Sequence, residues 1–138
     1  MKNPEFDIAI LLPTRGRAES LERSIRSLVE NADDISRVQL MFGFDDDDEV
    51  GAEHFKSVVQ PYLDEKEVEY TAMSFKPMGY IRLNEYVNEL ARNSDARWLV
   101  FWNDDAIMHS EHWDTDIMKY DGQFKLLAFD TQIGRAHV

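Results

Sequence analysis

Two stretches of this chain drive carboxylates out of the end of an apolar run. In "LVFWNDDAIM" (Leu99 to Met108), four apolar residues lead directly into Asn103, Asp104 and Asp105. In "LMFGFDDDDE" (Leu40 to Glu49), the same pattern ends in a run beginning at Asp45 and Asp46. Adjacent carboxylates repel one another and raise each other's pKa unless a counter-charge sits between them. A hard divalent cation such as Mg²⁺ or Mn²⁺ supplies that charge, and it favours one or two carboxylates together with substrate phosphates. A third polar cluster, "PTRGR" (Pro13 to Arg17), follows another apolar run and offers a hydroxyl, a glycine and two guanidiniums. Arginine pairs bidentately with phosphates and stacks on planar rings.

Each cluster also has a plainer explanation. "NDDA" could be a solvated turn that caps a helix, "DDDDE" an exposed acidic loop, and "PTRGR" a polar helix entry. Of the acids after Phe44, Asp45 and Asp46 leave the strand directly and face a ligand, whereas the later ones are expected in solvent. An EF-hand calcium loop fails on spacing. Started at Asp46, it has Gly51 correctly sixth but Ser57 where a glutamate is required; started at Asp45, it has Val50 sixth and Lys56 last. "PTRGR" lacks the glycine spacing and lysine-hydroxyl pair of a Walker loop, and no G-x-G-x-x-G occurs anywhere. His109 and His112 lie three apart in "HSEHW", but no third ligand of suitable spacing accompanies them. There is no cysteine to act as nucleophile, and no serine sits in a G-x-S-x-G elbow.

The elements that would carry these clusters are legible in order. "FDIAILLP" (Phe6 to Pro13) is a near-continuous apolar run, as for a strand buried on both faces. Leu21, Ile25, Leu28, Val29 and Ala32 then recur at helical spacing. "VQLMFGF" (Val38 to Phe44) is a second strand. Phe55, Val58, Val59 and Leu63 suggest a helix before or around Pro61. "VEYTAMSF" (Val68 to Phe75) is rich in β-branched and aromatic residues, which favour strands. Tyr80, Leu83, Val87, Leu90 and Ala91 make another helical face, and "RWLVFW" (Arg97 to Trp102) is a fourth strand. A short helix around Trp113 to Tyr120 and a further strand at Phe124 to Phe129 complete the series. Alternation of strand and helix predicts an α/β domain, a mostly parallel sheet with helices on both faces. In such a sheet, ligands bind at the carboxyl ends of the strands. If the strands are parallel, all three polar clusters meet on one edge, which says more than any cluster alone.

Composition narrows the function classes. The chain has 138 residues, 43% hydrophobic and 12% aromatic, enough for one packed domain. Its net charge of −12 argues against a nucleic-acid partner held by basic patches and against docking on an anionic membrane. No apolar run has the length of a transmembrane segment, and "MKNPEF" is too polar for a signal peptide. A cytoplasmic protein is the expectation. A sheet of this kind is not expected to stop at "DTQIGRAHV". The last six residues, Ile133 to Val138, match the in-frame translation of a sequencing-library adapter (ATC GGA AGA GCA CAC GTC). The expectation is one partial domain over residues 1–132, a non-native tail over 133–138 in which Arg135 and His137 carry no function, and a longer natural protein.

Taken together, "IAILLPTRGRAESLERSIRSLVENA", "LMFGFDDDD" and "GYIRLNEYVNELARNSDARWLVFWNDDAIM" resemble the amino-terminal half of a family 2 glycosyltransferase with the GT-A fold, over Asp7 to Met108. The resemblance implies a Rossmann-like three-layer sandwich, here incomplete at its carboxyl end. It also implies a nucleotide-diphospho-sugar donor such as a UDP-sugar, a Mn²⁺ or Mg²⁺ ion and an acceptor for the sugar. By similarity, Pro13 and Thr14 line the nucleobase pocket, and Asp45 or Asp46 contacts the base. Asp104 lies near the ribose, and Asp105 holds the metal that carries the diphosphate. The chain departs from the family in several places. "TRGR" stands where an aromatic-asparagine pair is common after the proline, so Arg15 and Arg17 replace those contacts or touch phosphate. The metal motif opens with Asn103 rather than an aspartate. Asn84 lies near a familiar asparagine position but at an unusual spacing from the glycine. The general base of inverting members lies beyond the metal motif; Asp130, after the last apolar run, is left unassigned. Two rivals stand beside this expectation. A nucleotidyltransferase of related fold would need a richer glycine loop than "PTRGR". A non-catalytic acidic module would use its carboxylates for calcium or a basic protein.

Overall fold

The computed structural model of the chain describes residues 4–123. Four strands, β1 (Phe6–Thr14), β2 (Val38–Asp45), β3 (Glu69–Phe75) and β4 (Ala96–Phe101), form one sheet in the order β3-β2-β1-β4. Every neighbouring pair is parallel, with Ile10 of β1 opposite Leu40 of β2 and Val100 of β4. The domain is α/β, as the alternation predicts. The further strand expected at Phe124 to Phe129, Asp130 and the tail at 133–138 lie outside the described residues.

The central strand β1 is apolar on both sides because both sides are covered. Ile8, Ile10 and Leu12 join the larger core with Leu40 and Phe42 of β2. Against them pack Leu21, Ile25 and Leu28 of α1 (Ala18–Asn31), which recur at the spacing of one helical face. The same layer holds the helical segment that begins with α2 (Glu49–His54), passes through a π turn (Phe55–Val59) and ends with α3 (Gln60–Glu65). Pro61 falls inside this segment rather than ending it. Proline leaves a gap in an α-helical ladder, and the wider π turn lies immediately before it, with the Gln60 amide reaching back to the Phe55 carbonyl. Phe55 sits edge-on to Phe42, Phe44 and Tyr70.

Ala9, Leu11 and Met41 point to the opposite face, where Leu90 of α4 (Leu83–Arg92) closes a smaller core. A 3₁₀ turn (Tyr80–Arg82) leads into α4. Gly43 marks the closest approach there: a β-carbon would lie 2.9 Å from the Phe75 ring and 3.4 Å from Leu90. Helices thus lie on both faces. The connections from β1 through β3 run one way across the sheet, and β4 returns to the other side of β1. That reversal opens a crevice between the carboxyl ends of β1 and β4. The short helix α5 (Trp113–Met118) packs back onto the larger core: Trp113 is fully buried, and its indole N–H donates to the Leu28 carbonyl at 2.9 Å.

Candidate functional site

Because β1, β2 and β4 are parallel, Thr14, Asp45 and the segment after Phe101 emerge on one edge. The three clusters meet there as expected. Thr14 and Asp104, 90 residues apart, are both buried, and the Thr14 hydroxyl donates to Asp104 Oδ2 at 2.8 Å. This bond joins the end of β1 to the chain leaving β4. Trp102, just before the acids, fixes that exit. Its backbone N–H donates to the Leu11 carbonyl, and its indole N–H donates to the buried Ser24 hydroxyl of α1 at 2.8 Å. Asp105 is exposed, as is Asn103.

Both arginines of the β1–α1 loop turn onto carboxylates. Arg17 Nη1 lies 2.9 Å from Asp105 Oδ2 and 3.4 Å from Asp104 Oδ1. Arg15 Nη1 lies 2.8 Å from Asp45 Oδ2, and the same guanidinium holds both oxygens of Asp47. The Asp47 carboxylate, then Asp45, raise the Arg15 pKa above its ordinary value, and Arg15 in turn holds Asp47 below the usual carboxylate range. Between the arginines, Gly16 adopts a φ of +67°, a left-handed conformation that L side chains rarely take. Its amide donates to Asp48 Oδ2 at 3.0 Å.

Asp45 is the buried member of the acidic run, 6% exposed. The Tyr86 hydroxyl of α4 donates to its Oδ1 at 2.5 Å and itself accepts from the Met78 amide at 2.8 Å. Burial first, and then the neighbouring Asp45 carboxylate, push the Tyr86 phenol above its ordinary pKa. A carboxylate held on one oxygen by Tyr86 and on the other by Arg15 has a fixed plane. Such a group can read a hydrogen-bond donor on a ligand.

These residues surround a cleft of about 400 Å³, within the usual range of small-molecule sites. Pro13, Thr14, Arg15, Arg17, Asp45, Asp104 and Asp105 all line it. Asp46 does not: it is exposed, and its backbone amide closes onto the Phe75 carbonyl. Of the two acids expected to face a ligand, Asp45 is the one in the cleft. Asp48 also departs from the expected solvent-exposed acid. It is half-buried, caps α2 by accepting from the Gly51 amide at 3.1 Å, and holds Gly16 with its other oxygen. Asn103 lines the cleft too, and Gly79, Leu83, Tyr86 and Phe101, which were not among the candidates from sequence, complete the lining. Tyr86 carried one available signal: it lies three residues after Leu83 and four before Leu90, on the buried stripe of α4. Asn84 is exposed and does not line the cleft.

Asp104 and Asp105 suit a cation that takes part of its shell from elsewhere. Among the described residues, no group of three or more histidines and carboxylates converges to hold a metal unaided. Two carboxylates, one of them exposed, are the donor set that Mg²⁺ or Mn²⁺ commonly takes from a protein, the rest of the coordination coming from substrate phosphates and water. They do not make the crowded oxygen cage of a calcium site. His109 is exposed and His112 Nδ1 pairs with Asp33; among the described residues, the two histidines belong to no group of three or more histidines and carboxylates that could hold a metal.

Comparison with known proteins finds no matching family model and no matching curated protein. Among the described residues, no helix is long and apolar enough to cross a membrane.

Proposed function

We propose that this chain is the donor-binding part of a GT-A glycosyltransferase resembling family 2, and that its cleft binds a nucleotide-diphospho-sugar with Mn²⁺ or Mg²⁺. The observation that carries this reading is the convergence of Thr14, Asp45, Asp104, Asp105 and two arginines in one cleft at the reversal between β1 and β4. An α/β sheet binds its ligands at that position. The cleft offers a carboxylate fixed in orientation for a base or ribose, guanidiniums for a diphosphate, and an exposed carboxylate for a metal.

In this reading Pro13 and Thr14 form the wall of the nucleobase pocket and Asp45 contacts the base. Asp104, held by Thr14, lies toward the ribose, and Asp105 holds the cation. Arg15 and Arg17 balance the negative charge of the diphosphate. When bound, the metal supplies charge stabilisation to the departing diphosphate. The acceptor and the general base are left unassigned.

The rival acidic module is supported less well. Asp45, Asp47 and Asp48 already have partners in Tyr86, Arg15, Gly16 and Gly51, so the run does not present a free row of carboxylates. The nucleotidyltransferase rival still lacks its glycine-rich loop. Titration calorimetry with UDP in the presence and absence of Mn²⁺ tests the proposal. Metal-dependent UDP binding is expected, and Asp105→Ala should weaken it at least tenfold without unfolding the chain. No heat with UDP, together with tight calcium binding, would return the choice to the acidic module. Unchanged binding by the variant would remove the metal from Asp105.

A further inference from the structure

We propose that Arg17 is an internal counter-cation which a divalent metal displaces from Asp104 and Asp105, and that the released guanidinium then pairs with the ligand's diphosphate. Metal and diphosphate therefore bind cooperatively. This inference rests on the donor-binding reading above and adds to it a coupling device.

The geometry carries it as follows. Arg17 Nη1 bridges Asp105 Oδ2 and Asp104 Oδ1, so the guanidinium occupies the oxygens that a cation would use. The remaining Asp104 oxygen is held by Thr14 and stays oriented whichever cation is present. The side chains of Arg17 and Asp105 are 54% and 56% exposed, whereas that of Asp104 is 11% exposed. An ion pair open to water on both partners is weak and readily exchanged. The buried carboxylate beside it still requires a counter-charge at all times.

Each ligand alone therefore meets a penalty. A metal that arrives alone gains the two carboxylates but expels Arg17 from them and leaves the guanidinium without an anion. A diphosphate that arrives alone draws Arg17 away and leaves two carboxylates uncompensated next to an anion, in a chain already carrying a net charge of −12. When both arrive, the metal takes the carboxylates and the guanidinium takes the phosphate, for which its planar fork is well matched. Every charge then has a partner. By thermodynamic linkage, whatever the diphosphate does for metal affinity, the metal does equally for diphosphate affinity.

The test is Mn²⁺ binding by the full chain, followed by the electron-spin resonance of free Mn²⁺, with and without UDP. Arg17→Gln should bind Mn²⁺ alone about 5- to 20-fold tighter than the parent chain, in the usual range of coupling between sites. The enhancement of Mn²⁺ affinity by UDP should shrink by a similar factor. Arg92→Gln, which removes another exposed charge at the far end of α4, should change neither. Arg17→Met supplies the same comparison if the glutamine variant folds poorly, because it keeps an unbranched stem and removes the cation that Nη1 places between both carboxylates; a similar tightening is expected. If the parent binds UDP with Mn²⁺ but the Arg17 variants bind Mn²⁺ alone no more tightly than it does, the exchange is overturned and the donor-binding reading stands. If the parent binds no UDP with Mn²⁺ at all, both fall.

Discussion

Both ends of the sheet carry buried aspartates, two at the carboxyl end and one at the amino end, and they neutralise them in opposite ways. At the carboxyl end, Asp45 and Asp104 are satisfied by side chains: Tyr86, Thr14 and two half-exposed arginines. At the amino end, Asp114 of α5 is satisfied by backbone. Its oxygens accept from the amides of Asp33 and Asp34 at 2.8 and 2.9 Å, beside the starts of β1 and β2. Backbone donors cannot leave without unfolding the turn that presents them. Side-chain donors can rotate away when a better partner arrives. The amino end is therefore built to hold the chain in place, and the carboxyl end to exchange partners.

The largest effect should come from breaking the backbone-satisfied set. Asp114→Ala leaves two amides unpaired between α1 and β2 and removes a charge from the first turn of α5. We expect a loss of about 2–3 kcal/mol in urea unfolding, the scale of hydrogen bonds to a charged group. UDP binding by the folded fraction should stay near the parent value. If instead Asp114→Ala costs under about half a kcal/mol, well below that scale, and abolishes ligand binding, the division between the two ends is wrong.

A smaller effect is expected from the exchangeable end. Tyr86→Phe removes a donor to Asp45 and an acceptor for the Met78 amide but keeps the ring against Phe75, 5.1 Å between centroids. We expect a stability loss of about 1 kcal/mol and a larger proportional loss of UDP affinity, because Asp45 loses one of the two partners that fix its plane. Equal losses in both measurements would make Tyr86 a packing residue only.

This contrast explains what could be read from the sequence and what could not. β1 and β2 were legible because they are apolar runs buried between two helical layers. β3 contains no buried residue and was legible only from its β-branched and aromatic residues, and β4, apolar in sequence, leaves Leu99 and Phe101 half exposed. The meeting of "PTRGR", "DDDDE" and "NDDA" followed from parallel strands without any knowledge of side-chain contacts. Pairings across the chain were not legible. Asp114 looks like an ordinary first-turn acid, yet its partners lie 80 and 81 residues earlier. Asp48 reads as one more member of a charge run, although it caps a helix and fixes the loop at Gly16. Arg15 and Arg17 read as ligand-binding groups, and nothing local indicates that in the free chain they are held by four carboxylates. Periodicity reports which side of an element is buried; it does not report which donor meets which acceptor once distant elements are in place.

The gentlest way to sharpen the comparison is pH, which acts on the rim of the amino end. His112, in a left-handed conformation at a φ of +64°, pairs with Asp33, which also accepts from the Thr115 hydroxyl. The Asp33 carboxylate, reinforced by Glu111 and Asp116, raises the imidazole above its ordinary value of 6.5. Thr115, and then His112, hold Asp33 below the usual carboxylate range near 3.8. A raised histidine pKa gives a contribution that is complete below 6.5 and is lost as pH rises through the raised value. A depressed aspartate pKa gives one that is complete above 3.8 and is lost as pH falls through the depressed value. The docking of α5 should therefore be tightest between those two ordinary values and loosen on the alkaline side first. Both groups are exposed, so the change is expected in local hydrogen exchange of the α5 amides rather than in global unfolding. His112→Gln should flatten that alkaline limb while the exchange of β1 amides stays unchanged. An alkaline limb of equal size in the variant would show that the limb does not arise from the His112–Asp33 pair.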